Sequence, residues 1–503
     1  MLRILGSQKR LCRGVNRRDV LNIGSCGLGA LTLSQLLGEP TAQAKAVQRA
    51  ATFGQAKRVI LLYLAGAASQ LETFDPKPDA AAEVRGEHKA IQTAIPTVRI
   101  SEHLPQTARI MDRLTLIRSM THDNNNHSNV FTLTGHPAVD FQSETHPLDT
   151  RHHPFFGSVL DYLAERRSPD ALSPGIPRNL ALPFRFSKFN PLFQRSGPYG
   201  GFLGRGYDPV YTEFDGEAKR EVERVGVFGV GSTKEKDPFV SVKPELKFSV
   251  SGAAQQQPGL TLDRLNKRKS LLGQLESQRR TVEESQAIAS LSRHQQMAWS
   301  LLRSQEIREA LDISREPMSR RERYGMNLFG QAVLAGRRLL EAGGRVVSIF
   351  WDEYKVVNTA WDTHFNLYKR LNNELLPGLD SALSALIIDL EERGLLDETL
   401  VLVLTEHGRT PKIIERAKTP GRDHWSNAYC NLLSGAGLNP GQVLGSSDSQ
   451  AGYVQNNPVS PMDVLATMYH LVGIDEHTTI PGRAGRPMPL VANGRVLHEL
   501  LNS

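Results

Sequence analysis

The stretch Thr399-Leu-Val-Leu-Val-Leu-Thr-Glu-His-Gly-Arg-Thr-Pro411 decides how the chain is read. Thr399 to Leu404 is an unbroken run of apolar β-formers, the pattern of a strand buried on both faces. It stops at Thr405 and is followed by Glu406, His407 and Gly408, two metal-capable side chains and a flexible residue. In open α/β sheets, ligands bind just beyond the carboxyl ends of the strands. Arg409 reads as a surface ion pair or as a holder of an anion.

The same pattern recurs elsewhere. Lys57 to Gly66 predicts a first strand, and its trailing loop carries Glu72 and Asp75, the latter shaping a turn before Pro76. Leu114 to Ser119 predicts a short strand before the polar run His122-Asp-Asn-Asn-Asn-His-Ser128. Arg345 to Phe350 predicts another, followed by Trp361-Asp-Thr-His364. Gly421-Arg-Asp-His-Trp425 precedes a further strand, Ala428 to Leu433. Helical patterns intervene over 324–341, 371–393 and 462–472, so the fold class is α/β, a mostly parallel central sheet with flanking helices. Residues from about 185 to 258 lack periodicity and read as irregular. Those from 261 to about 316 read as a helical hairpin, so an insertion spans about 185–320. Trp351, Trp361 and Trp425 read as packing walls.

The loops thus collect Glu72, Asp362, His364, Glu406, His407 and His424 as candidate metal ligands. Asp123, His127 and Ser128 are the catalytic candidates. Mixed carboxylate and imidazole donors suit a divalent metal such as zinc or manganese, and an oxygen-only subset would suit calcium. Paired metals would clamp the attacking and leaving oxygens of a displacement at phosphorus or sulfur.

The chain has 503 residues and a formal charge of +7. Much of that charge lies in the first 44 residues, where Arg3, Lys9, Arg10, Arg13, Arg17 and Arg18 face only Asp19 and Glu39. The remainder is only weakly basic, which argues against a nucleic-acid partner. Arg17-Arg18, a mild apolar stretch over 23–37 and Ala42-Gln43-Ala44 resemble a twin-arginine signal, placing the mature chain from residue 45 in the periplasm or another extracytoplasmic space through the Tat export machinery. No later apolar run is long enough for a stable membrane span. Of the three cysteines, Cys12 and Cys26 fall in that first segment, and Cys430 reads as a small core residue.

Ser69-Gln-Leu-Glu-Thr-Phe-Asp-Pro-Lys-Pro78, Gly201-Phe-Leu-Gly204, Tyr207-Asp-Pro209, Arg323-Tyr-Gly325, Trp361-Asp-Thr-His364, Gly408-Arg-Thr-Pro411 and Gly421-Arg-Asp-His-Trp425 resemble the DUF1501 family over nearly the whole mature chain. That family is similar in turn to the alkaline phosphatase and sulfatase superfamily, which implies an alkaline-phosphatase-like fold over 45–503. Thr405-Glu-His-Gly408 looks like the superfamily's Thr-x-Asp-His-Gly metal motif, with glutamate for aspartate. By the same resemblance Glu72 takes the place of the first-strand aspartate, Asp362 and His364 form a shortened metal pair, and His424 is the last metal histidine. Counting back from Gly135 to the superfamily's nucleophile lands on Asn125, which cannot attack. A shifted register would present Ser128 or Asp123, and a metal-bound hydroxide is a further option. The implied function is an exported metal-dependent hydrolase of sulfate or phosphate esters, with a small-molecule or glycan ester as substrate. The alternative is a non-catalytic periplasmic binding or accessory protein on the same fold.

Overall fold

The computed structural model describes residues 51–502 apart from 139, 141, 168–175, 193, 226–230, 357–359 and 417. Between 251 and 303 it describes only 293, 297, 300 and 301. The signal-like segment and most of the expected helical hairpin therefore lie outside the described residues.

Among the described residues, the core is a nine-stranded sheet. In chain order its strands are β1 (Arg58–Leu64), β2 (Thr115–Met120), β3 (Asn179–Leu182), β4 (Val210–Asp215), β5 (Lys247–Val250), β6 (Val346–Trp351), β7 (Thr399–Leu404), β8 (Tyr429–Ser434) and β9 (Val443–Leu444). Their order across the sheet is β9-β2-β8-β7-β1-β6-β3-β4-β5. β1 lies between β7 and β6 and runs parallel to both, with Tyr63 opposite Leu404 and Leu64 opposite Trp351. β6, β3 and β4 continue in parallel. Only β5 and β8 run against their neighbours. The sheet is mostly parallel, as the alternation of strands and helices predicts.

The buried apolar strands serve two cores at once, because successive side chains point to opposite faces. Ile60, Leu62 and Leu64 of β1 join one core, against helices Leu328–Glu341 and Leu376–Glu392. Val59, Leu61 and Tyr63 join the other, against helices Phe156–Arg167 and Pro461–Leu471. Trp351 and Trp361 are buried in the first core, in edge-to-face contact with ring centroids 5.6 Å apart. Cys430 is buried, and burial pushes its thiol pKa up.

Two sequence expectations shift. The helix expected from Tyr324 begins at Leu328, because Gly325 takes φ +93° and Asn327 caps the new start by accepting from the Gly330 amide at 2.8 Å. The stretch read as irregular contributes β4 and β5 to the sheet edge, together with a separate two-stranded ribbon over Glu221–Val225 and Ser232–Lys236. These are the last two strands on that side of the sheet, with half-exposed faces, so they carry no apolar run to mark them. No helix among the described residues is long and apolar enough to cross a membrane.

Candidate metal centre

β1, β2, β6 and β7 point their carboxyl ends the same way, and the loops beyond them converge. β8 runs the opposite way, so its amino end lies on this same edge. That is why His424, which precedes a strand, joins residues that follow strands. A short ladder, with Gly408 opposite Trp425 and Arg409 opposite His424, fixes the position of His424 beside His407. The Thr405 hydroxyl ties β7 to the first loop, donating to the Leu64 carbonyl and accepting from the Ala68 amide, both at 3.0 Å.

Asp362, His364, Glu406, His407 and His424 come together here, and His127 joins them. One potential ligand atom from each of His127, His407 and His424 lies within 4.8 Å of the others, and the same holds for Asp362, His364 and His424. His364 Nδ1 lies 2.8 Å from Asp423 Oδ1, which turns its Nε2 toward His424 Nε2 at 3.0 Å and Asp362 Oδ1 at 3.1 Å. His407 Nδ1 donates to the Gly408 carbonyl at 2.8 Å, leaving a lone pair on Nε2. That Nε2 is buried and has no hydrogen-bond partner, and neither has Glu406 Oε2. The other oxygen of Glu406 accepts from the Gly66 amide at 2.7 Å and meets His127 Nδ1 at 2.9 Å. Other buried polar atoms also lack partners, but these two lie beside the clustered imidazoles and Asp362, and leaving them uncompensated is costly, so this donor set fits a cation.

The electrostatics match. Burial, with His424 and His127 nearby, holds His407 well below the usual histidine range. Burial likewise lowers His424 to about 4, against the Asp362 hydrogen bond. Metal binding needs such neutral imidazoles. Burial opposes the charge on Asp362, but Arg409, His127 and His364 outweigh it and keep the carboxyl well below its ordinary value. For His127, burial and Arg195 oppose protonation, while Asp362 and Glu406 prevail and raise its pKa.

Glu72, expected among the ligands, stands apart. It is buried in an ion pair with Arg422, whose Nε reaches both carboxylate oxygens at 3.0 Å and whose Nη2 reaches one at 2.6 Å, while Ser69 Oγ donates as well. With its oxygens engaged, Glu72 serves as the anchor of a buried arginine. Ser128 Oγ donates to the Asn126 carbonyl at 3.1 Å, and Asp123 is exposed to solvent. Asn125 Oδ1 accepts from the Ser426 amide at 2.9 Å. Of the catalytic candidates, only His127 reaches the cluster.

Arg409 is fully buried rather than on the surface. It donates to Ala67 O at 3.0 Å and Arg422 O at 3.1 Å, and also to Gly66 O and Asp362 Oδ1, so one guanidinium joins three loops. Asp423 lies outside the sequence expectations, though a carboxylate directly before a candidate histidine is a usable signal. Its other oxygen takes Arg416 at 2.6 Å. Outer carboxylates of this kind orient the ligating ring, and losing one typically costs ~10–100-fold in metal affinity. Asp423→Ala should show a loss of that size in chelator competition, with little change in the unfolding midpoint of the metal-free protein.

Two further carboxyls border the centre. Burial pushes Glu144 from the usual 4.5 up to about 7, outweighing Arg195, the Val130 amide and His127. Burial also raises Asp352 from 3.8 to about 7. In the unfolded chain each loses its proton near its ordinary value, so between roughly pH 4.5 and 7 the native state binds the extra proton. The contribution of these two carboxyls to the stability of the metal-free protein should therefore fall as pH rises through that window, while the lowered His407 and His424 act in the opposite direction. The Glu144 share is isolated by difference: the melting temperature of Glu144→Gln relative to wild type should rise from pH 5 to 8.

Several solved structures are similar in outline. A phosphonate monoester hydrolase from Silicibacter pomeroyi is 15% identical, with 89% of this chain and 76% of that one covered at a TM-score of 0.34. The PsFucS1 sulfatase from Pseudoalteromonas sp. is 13% identical, with 85% and 70% covered at a TM-score of 0.35. The lipoteichoic acid synthase LtaP from Listeria monocytogenes is 11% identical, with 88% and 76% covered at a TM-score of 0.34. No curated protein matches the chain by sequence. Residues 56–501 match the family described as "Protein of unknown function (DUF1501)", and the chain belongs to that family.

Proposed function

We propose that this protein is an exported metal-dependent hydrolase acting on sulfate or phosphate esters, small or carried on a glycan. The observation that carries this reading is the pair of buried, partnerless donors, His407 Nε2 and Glu406 Oε2, beside Asp362, His364 and His424. These residues would hold a divalent metal. When bound, it would polarise an ester oxygen and lower the pKa of water. The chain itself orients the donors through Asp423, Gly408 and Gly66, and buries Arg409 to neutralise Asp362. Export rests on Arg17-Arg18 and the apolar stretch after them.

One observation favours a second reading, a binding or accessory protein without turnover: Ser128 Oγ and the Asn125 amide are both occupied by backbone partners. Elemental analysis of the protein purified from its native compartment, followed by assays with aryl sulfate and aryl phosphate esters, separates the two. Stoichiometric metal with turnover supports the hydrolase, metal without turnover supports the binder, and absence of metal overturns both forms of the metal reading. Loss of secretion in Arg17→Lys/Arg18→Lys would support twin-arginine export.

A further inference from the structure

We infer that His127 is itself a metal ligand, and that with His407 and His424 it makes the centre selective for zinc, cobalt or iron(II) over calcium and magnesium. The inference rests on the metal-dependent reading above and adds to it a ligand and a metal class.

His127 leaves the loop after β2 and reaches the cluster beside His407 and His424. Its ring centroid lies 4.3 Å from that of His424 and 5.4 Å from that of His407, while those two are 4.7 Å apart. Two nitrogens bound at ~2.0–2.1 Å to one zinc lie at most about 4.2 Å apart. Potential ligand atoms within 4.8 Å of one another therefore need only small side-chain movements to share an ion. Each His127 nitrogen meets a carboxylate, Nδ1 that of Glu406 at 2.9 Å and Nε2 that of Asp362 at 3.3 Å, so a bound cation would displace the ring proton facing one of them and neutralise the acids in its place.

The first loop explains the need for this histidine. Beyond β1, Gly66 and Ala67 meet the centre's residues only through backbone atoms, the Gly66 amide on Glu406 and the Ala67 carbonyl on Arg409, and Glu72 is committed to Arg422. An imidazole from the β2 loop fills that side of the site. Three imidazoles suit borderline transition metals, whereas calcium and magnesium prefer carboxylate, carbonyl and water oxygen.

The test loads the full chain with Co(II) and records its visible spectrum and its affinity by competition with a chromophoric chelator. His127→Gln should bind at least ~10-fold more weakly, with an altered spectrum. His103→Gln, a histidine near His88 and outside the centre, serves as control and should leave both unchanged. Excess calcium should not displace Co(II) from the wild type. Should His127→Gln fail to fold, X-ray absorption of Co(II)-loaded His364→Gln still decides: with that imidazole gone, fewer than three in the shell overturns the inference. An unchanged spectrum and affinity in His127→Gln would remove His127 from the ligand set, and displacement by calcium would overturn the metal class. Either result leaves the hydrolase reading standing. Failure of the wild type to bind any metal would instead sink that reading.

Discussion

Glu72→Ala is expected to lower the stability of the protein by about 3–5 kcal/mol, the usual cost of leaving a buried charge without its partner. Arg422 is fully buried, and its side chain also donates to Val84 O at 2.7 Å and Thr410 O at 3.1 Å. Those carbonyls neutralise no charge, so removing Glu72 leaves a guanidinium in the interior with nowhere to go. Glu72→Gln should cost less, because the amide oxygen can still accept one hydrogen bond. Denaturant midpoints measure the loss, and metal content of the folded fraction tests its cause. A large drop in midpoint with metal retained is the expected pair of results. Loss of metal with an unchanged midpoint in the metal-free protein would return Glu72 to the ligand set.

Gly66→Ala is the second large effect. Gly66 takes φ +103°, and a Cβ there would lie 2.4 Å from the Asp362 amide nitrogen and 2.9 Å from that of Trp361. Both are backbone atoms, so no side chain can swing aside. The unfavourable backbone conformation alone costs about 1–3 kcal/mol, and the 361–362 loop must also retreat. That loop carries Asp362, while the Gly66 amide holds Glu406, so strain at one position moves donors on two strands. Gly66→Ala should therefore lower both the melting temperature and metal affinity. Gly394→Ala is the matched control: it also has positive φ, +63°, but nothing lies within 4 Å of the added Cβ. It should cost only the backbone term and leave metal affinity alone. Equal metal affinity in both variants would refute a role for the Gly66 contact.

The sheet was legible because its central strands are buried on both faces. Continuous apolar runs such as those of β1 and β7 are too short to span a membrane and show no helical period, which leaves a doubly covered strand. The outlying strands β4 and β5 were not legible, since half-exposed strands carry mixed sequences. Within the centre, Asp362, His364, Glu406, His407 and His424 were recognisable as chemically capable residues at strand ends, though sequence alone did not say that they meet. Glu72 was misleading because a carboxylate in a loop after a strand has the same local signature whether it faces a cation or an arginine. What separates the cases is Arg422, 350 residues away in the chain, and such a pairing belongs to the tertiary fold. Arg409 misled for the same reason: its burial follows from three loops closing over it. Gly66 gave no signal beyond being a glycine, since its role lies in its amide and in the space its missing Cβ leaves.

The antiparallel course of β8 has a consequence for how the chain is held together. Because His424 returns to the edge reached by residues 127, 362–364 and 406–407, an ion shared among them would close several long loops of chain with a single set of bonds. Closing long loops restricts the unfolded ensemble most, and affinity for the native state alone adds directly to stability. The centre would then act as a cross-link in a chain whose only cysteine among the described residues is Cys430. Chelation should loosen the sheet edge where these loops meet before it loosens the opposite edge, a gradient readable residue by residue in amide hydrogen exchange.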